Sequence, residues 1–381
     1  AATAAACGDD GGTAPPDAGD GDAVEDAADA PETEADDGAG ESRLLAVVST
    51  DYMVGSVSLI DIETLETVAS AAVHADAVLR CRGGGVFDVV ERFGSDRIRR
   101  FRVSATGIEE VAGIDLPDGS NPQDAAVLST GEIGVPLYEG TSFAFLAGDL
   151  SASAGSTDLA VLADAADGLP EMHGAVEAAG RLFVSLQLLD RTGSPWSPTG
   201  PGVLAVIDPP TRTLVDVGAG PGVQGVALAA SNPVGPMRVF GPAILLSAVG
   251  AYGVEDGGIE AVDPATGTTR GIVVGEAALG GDISDWIVRA DDTGFALVTA
   301  GFAEDRLVRF DLDSGATVGA PVIVSAGYTL AGLVDLGDGR IAVGDRTAGV
   351  EGVRVFDAES GAELTGAPID VGLPPAAACM P

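Results

Sequence analysis

The stretch Leu307-Val308-Arg309-Phe310-Asp311-Leu312-Asp313-Ser314-Gly315 decides the fold, because it is an alternating strand that runs straight into a polar turn. The Asp at the end of such a strand can accept backbone N–H bonds inside the turn, and the Gly takes the positive φ that closes it. The same arrangement recurs along the chain. Val353-Arg354-Val355-Phe356-Asp357 is followed by Ala358-Glu359-Ser360-Gly361, and Ile259-Glu260-Ala261-Val262-Asp263 by Pro264-Ala265-Thr266-Gly267. Val203 to Asp208 precedes Pro209-Pro210-Thr211, and Val57-Ser58-Leu59-Ile60-Asp61 precedes Ile62-Glu63-Thr64. Two degenerate copies occupy residues 98–107, where Arg102 stands in for the Asp, and 142–150.

Working outward from each hairpin, an apolar strand precedes it, at residues 45–49, 86–90, 133–137, 182–186, 243–247, 295–299 and 341–344. Before each of those except the first lies a strand of small residues, at 75–79, 124–128, 174–177, 225–229, 283–288 and 330–334. Small side chains suit a crowded inner strand beside a central axis. The first unit lacks this strand, and the chain ends with a surplus, Pro374-Pro375-Ala376-Ala377-Ala378-Cys379. A C-terminal strand that completes the first sheet would close a ring and remove an exposed edge. Seven units across residues 43–381 average about 48 residues, close to a four-stranded blade with insertions. The expectation is an all-β, seven-bladed β-propeller over 43–381; a β-sandwich or two β domains would not predict a vacancy at one end and its filling at the other.

Cys81 and Cys379 fall at the ends of inner strands in what would be adjacent blades. A disulfide between them would staple the closure, and the chain-entropy model allows about 5 kcal/mol for so long a loop, usually reduced to about 2–4 by strain. The alternative is two buried thiols.

Composition narrows the function classes. The formal charge is −39, with 58 acidic residues against 19 basic ones, all of them Arg. Phosphate repulsion makes nucleic acid a poor partner, and an anionic membrane surface is disfavoured for the same reason. Salt adaptation and GC-rich coding both account for this acidity, and neither is a function. No apolar run is long enough to span a bilayer.

Residues 1–42 hold 13 acidic residues, no basic ones and almost no large apolar side chain. Such a segment cannot bury enough surface to offset its ordering entropy, so an extended, disordered stalk is expected. The run Ala4-Ala5-Ala6-Cys7-Gly8 resembles the lipobox of bacterial lipoproteins, although Ala4 replaces the usual Leu. That resemblance implies lipid on Cys7, export, and a place at the bacterial outer membrane or cell surface. The alternative is a free Cys in a floppy tail.

The repeated strand-and-turn units resemble the YVTN/YncE-like propellers of bacterial cell surfaces. The stretches Asp167-Gly168-Leu169-Pro170-Glu171-Met172, Leu182 through Arg191 and Pro198-Thr199-Gly200 also resemble a group of bacterial propeller lipoproteins without an assigned activity. The resemblance covers 43–381 and departs at the degenerate hairpins and at the insertion in the fourth unit. It implies fold and says little of activity.

Several chemistries are excluded. Two histidines, His74 and His173, are too few for a His-ringed metal centre, no Gly-x-Ser-x-Gly elbow is present, and no phosphate-binding glycine motif occurs. His74, Asn121, His173, Gln224 and Asp282 precede inner strands and would ring one mouth of the central funnel, with Glu171 and Asp285 nearby. The competing reading is that they bond to backbone and channel water. Asp164, Asp167 and Glu171 around Gly168 could offer oxygen ligands to calcium, the one candidate cofactor, or form a solvated turn. Trp196, on a Pro-rich insertion, is a candidate partner contact or a local cap; Trp286 reads as packing. The leading expectation is a monomeric, non-catalytic surface module that binds a protein, glycan or small ligand. The alternative is a calcium-dependent hydrolase or lactonase working in the funnel.

Overall fold

A computed structural model describes residues 43–104 and 107–381; the expected stalk and Cys7 lie outside the described residues. The described chain forms seven antiparallel sheets arranged as blades, with one short extra ladder. Blade 1 is the test of closure. Its second, third and outer strands are Leu44–Thr50, Gly55–Asp61 and Glu66–Val73, and its inner strand is the C-terminal Pro375–Cys379. The pairing runs Ala46↔Cys379, Val47↔Ala378 and Val48↔Ala377. The first and last strands of the described residues thus share one sheet.

Blade 7 (Leu330–Asp335, Arg340–Asp345, Gly352–Asp357) meets this inner strand through a missing side chain. Gly332 has φ +66°, and a Cβ there would stand 3.1 Å from the backbone of Ala377. Any larger residue would push the closing strand away from its neighbour. Cys81, on the inner strand of blade 2 (Ala77–Gly83), is bonded to Cys379 with a Cα–Cα distance of 5.8 Å. The closure is held both by a ladder and by a covalent staple.

The core lies between blades, where the apolar second and third strands of neighbours face each other. Ala46, Val48, Val57 and Leu59 of blade 1 pack on Leu79, Phe87, Val89 and Phe101 of blade 2. With few aromatics to fill space, branched aliphatics do most of this packing, as composition required.

Antiparallel order fixes which loops share a face. The turns from inner to second strand and from third to outer strand lie on one face. The loops from second to third strand, and the crossings into the next blade, lie on the other. The first face holds the Asp-governed hairpins: Asp61 accepts N–H bonds from Glu63 and Thr64 at 2.9 and 3.0 Å, and Asp311 accepts one from Ser314 at 2.8 Å. Where the closing Gly is missing, Leu65 and Arg212 take the positive φ themselves, at 59° and 55°.

One inner strand differs from the sequence expectation. The small residues 225–229 read as an inner strand at the axis of the fifth unit, but Val226–Ala227 pairs with the third strand of blade 4, Val203–Asp208, as Val203↔Ala227 and Leu204↔Val226. It is the second half of an outer strand begun by Thr213–Leu214 and broken by the intervening loop. The inner strand of blade 5 is Met237–Phe240, paired with Ala243–Ala248. Small size alone does not distinguish an inner strand from an interrupted edge. Arg238, on the true strand, lines the axial channel beside Asp285.

Candidate functional site: an aromatic funnel

The face of long loops surrounds a cavity of about 760 Å³, a size ordinary for small-molecule sites. Most of its aromatic walls come from one regular position in the fold, which Phe93 also occupies without lining the cavity. Tyr52, Phe93, Tyr138 and Phe302 each stand two residues beyond the end of a second strand, Leu44–Thr50, Val86–Glu91, Ile133–Pro136 and Thr293–Ala300 respectively. Blades 4 and 5 deliver Trp196 and Tyr252 from longer loops at the same place in the blade. Tyr138, Trp196, Tyr252 and Phe302 line the cavity, while Tyr52 and Tyr328 line an adjoining recess that shares Asp76 and Arg92 with it. All four tyrosines of the chain are therefore gathered here. Trp196 is 52% and Tyr252 55% exposed.

Planar polar groups converge between the rings. Arg92 is clamped by Asp76 and reaches Gln123 Oε1 at 3.1 Å; Gln123 in turn donates to Asn121 Oδ1 at 2.8 Å. Tyr138 donates its hydroxyl to Gln187 at 3.0 Å, and burial pushes its pKa upward, with Glu171 adding to the effect, so the phenol stays protonated. His173 sits where the cavity narrows into the axial channel, its Nδ1 buried and unpartnered. Burial, reinforced by Arg92 and Arg80, brings its pKa down to about 4, so the ring is neutral at ordinary pH. Below it Arg80 pairs with Asp124, and Arg238 stands 3.8 Å from Asp285.

The Trp196 loop is braced. Leu189–Asp190 pairs with Ser197–Pro198, and Thr199 donates to the Leu188 carbonyl at 2.9 Å. The Arg191 guanidinium lies 4.5 Å from the Trp196 ring and 5.4 Å from that of Tyr138, and Glu139 holds it at 2.7 Å. Trp196 is thus a wall of the funnel presented on a fixed support. Trp286, expected as packing, is buried and donates to Ser247 at 3.2 Å.

The residues proposed from sequence are distributed unevenly. Asn121 and His173 line the funnel, and Asp285 the channel beneath it. His74 turns back on its own loop, where its Nδ1 accepts the Asp76 N–H at 3.2 Å. Asp282 is buried behind the wall and accepts the Gly253 N–H at 2.8 Å, bracing the Tyr252 loop. Gln224 is a correction. An inner strand at 225–229 would put it at the mouth; it lies instead beside the outer edge of blade 4, bonded to Asp216 and Val217. Asp164, Asp167 and Glu171 come together, with one ligand oxygen of each within 4.8 Å of the others. Sequence reasoning missed Asp76, Arg92, Gln123, Tyr138, Tyr252 and Phe302. A signal existed for Tyr138 and Phe302, since a rare aromatic two residues past the apolar strand recurs in four units.

No known family matches the chain by sequence, and no curated protein does. Solved structures do match in shape. The dihydro-heme d1 dehydrogenase NirN, solved in complex with DHE, aligns with a TM-score of 0.56 at 14% identity over 89% of this chain and 75% of that one. Apo AztD from Citrobacter koseri aligns at 0.51 and 16% identity, over 89% and 98%. A putative 6-phosphogluconolactonase from Bacteroides fragilis aligns at 0.61 and 15%, over 90% and 98%. At such identities these likenesses establish the propeller fold and nothing finer.

Proposed function

We propose that this protein is an exported, lipid-anchored binding module whose funnel takes a small ring-shaped polyhydroxylated ligand, of the kind a glycan end presents. The observation that carries this reading is the gathering of four exposed or half-exposed aromatics around one funnel, with two more in the recess beside it, in a chain only 4% aromatic. A sugar ring has an apolar face that stacks on Tyr or Trp, and a rim of hydroxyls that pair with planar groups such as Asn121, Gln123, Gln187, Asp76 and Arg92. Few of these polar side chains need to move to meet a ligand, because Arg92, Gln123 and Tyr138 are already held by neighbours. The disulfide supports export, since such bonds persist in oxidising compartments. Ala4-Ala5-Ala6-Cys7 and the acidic residues after it support a lipid anchor and a tether, and the net charge of −39 argues against nucleic acid. The propeller is proposed to act as a monomer.

Calorimetry or ligand-observed NMR against a panel of neutral oligosaccharides tests the reading. Trp196→Ala and Tyr252→Ala should each weaken the best ligand about tenfold or more with little change in Tm. Absence of binding across the panel, or affinity untouched by both substitutions, would remove the funnel from the proposal. Turnover of a lactone would replace it with a hydrolase.

A further inference from the structure

The crossing from blade 3 into blade 4 carries Asp164, Asp167 and Glu171. In a chain with so much acid, a cluster of three carboxylates means little by itself. The way these three are bonded means more. Each uses one oxygen on a backbone N–H: Asp164 Oδ1 accepts from Ala166, Asp167 Oδ1 from Leu169 at 2.9 Å, and Glu171 Oε2 from Leu189 at 3.0 Å. The remaining oxygens, Asp164 Oδ2, Asp167 Oδ2 and Glu171 Oε1, are buried and have no hydrogen-bond partner. Glu171 as a whole is fully buried.

Buried polar oxygens without partners are rare in folded proteins, and anionic ones are costly. The three carboxylates, with one oxygen of each within 4.8 Å of the others, repel one another as well. The nearest positive group, Arg191 Nη1, stands 4.0 Å from Glu171 Oε1, beyond hydrogen-bond distance, and is itself without a hydrogen-bond partner, while Glu139 holds Nη2 and the guanidinium lies over the faces of Trp196 and Tyr138. What would satisfy all three oxygens at once is a single cation between them.

We propose that Asp164, Asp167 and Glu171 hold one calcium ion that fastens the root of the Trp196 loop to the blade 3–4 crossing. An all-carboxylate oxygen set is hard, carries the charge to bind a divalent ion, and leaves further positions to water or carbonyls, which suits the flexible coordination of calcium better than the strict octahedron of magnesium. Glu171 makes the mechanical link. Its carboxylate accepts the Leu189 N–H, and its carbonyl accepts that of Gln187 at 3.2 Å, so an ion seated on Glu171 fixes the start of the loop that ends in Trp196. The site lies outside the funnel and does not depend on what the funnel binds.

The test is CaCl2 titrated into the full chain, stripped with chelator and desalted, at moderate NaCl to suppress binding to loose acidic residues. One saturable equivalent is expected, with an affinity in or above the roughly 0.1–1 mM range of extracellular modules. Tm should rise by about 2–5 °C, and the fluorescence response should vanish in Trp196→Phe while Trp286 remains. The Asp164→Asn/Asp167→Asn variant, changed only at part-exposed positions, should fold and lose the equivalent; Glu171→Gln should do the same. No saturable binding at about 1 mM, an equal response to MgCl2, or an equivalent retained in the double variant would each overturn the site.

Discussion

On one face of the ring, Asp263, Asp311 and Asp357 are part-exposed at the hairpins between third and outer strands; on the other, Glu171, Glu276 and Asp282 are buried at the crossings between blades. Both sets accept backbone N–H bonds, yet their acidities move in opposite directions. The Thr266 N–H holds Asp263 low, and bonds from Ser314 and Ser360 do the same for Asp311 and Asp357. Burial outweighs similar bonds on the other face, pushing Glu171 and Glu276 up to about 7 and raising Asp282. The difference shows what each face is for. The hairpin face repeats one cheap, solvated turn and so sets the scaffold. The mouth face buries charge to position loops that differ from blade to blade, and a site can be built only from such loops.

The largest expected effect concerns neither face but the closure that both depend on. Cys81→Ala with Cys379→Ala should cost about 2–4 kcal/mol, read as a lower urea midpoint, and reductant should do the same to the parent chain. The ladder of blade 1 would remain, so folding should persist. A midpoint unchanged by the double substitution would mean that the strand pairing alone holds the ring.

Next in size is a pH effect specific to the mouth face. Glu276 accepts the Gly257 N–H at 2.8 Å and that of Ile283 at 3.2 Å, tying blade 5 to blade 6, but it is fully buried. Its folded pKa of about 7 exceeds the unfolded 4.5, so the folded chain binds a proton that the unfolded chain has released. The resulting stability is complete below about pH 4.5 and is lost as pH rises through about 7, by up to about 3 kcal/mol. Glu276→Gln keeps an acceptor and removes the titration, so its unfolding free energy should be flatter than the parent's across that window. Equal slopes in parent and variant would show that water reaches this carboxylate and that the contrast between faces is weaker than its burial implies.

What could be read from the sequence follows the same division. Asp311 to Gly315 and its copies announced the hairpin face because a turn closed by Asp and Gly has one local solution, repeated without regard to neighbours. The vacancy in the first unit and the surplus at Ala376-Ala377-Ala378 announced the closure, since a sheet edge demands a partner. The mouth was harder. Gln224 misleads because residues 225–229 imitate an inner strand in size while Val226–Ala227 pairs at the outer edge of blade 4. Arg92, Gln123 and Tyr252 converge only in three dimensions, from three different blades, and no local pattern marks them. Asp164, Asp167 and Glu171 were visible as a cluster, but their unpartnered oxygens required knowing which N–H groups the loop supplies.

The smallest effect sharpens the comparison from the other side. Asp263→Ala removes the acceptor for the N–H groups of Ala265 and Thr266, at 2.9 and 3.2 Å, but both would simply turn to water. Gly267, at φ +67°, still closes the turn. The expected loss is about 2 °C in Tm or less. Its pH dependence should run against that of Glu276: a carboxyl whose folded value is lowered contributes above its unfolded value of 3.8 and loses that contribution as pH falls through the folded one. Parent and Asp263→Ala should therefore differ most at neutral pH and converge in acid, whereas parent and Glu276→Gln should diverge as pH rises. A Tm loss for Asp263→Ala as large as that of the disulfide variant would place the structural burden on the hairpin face, and the mouth could then no longer be treated as the face where stability is exchanged for a site.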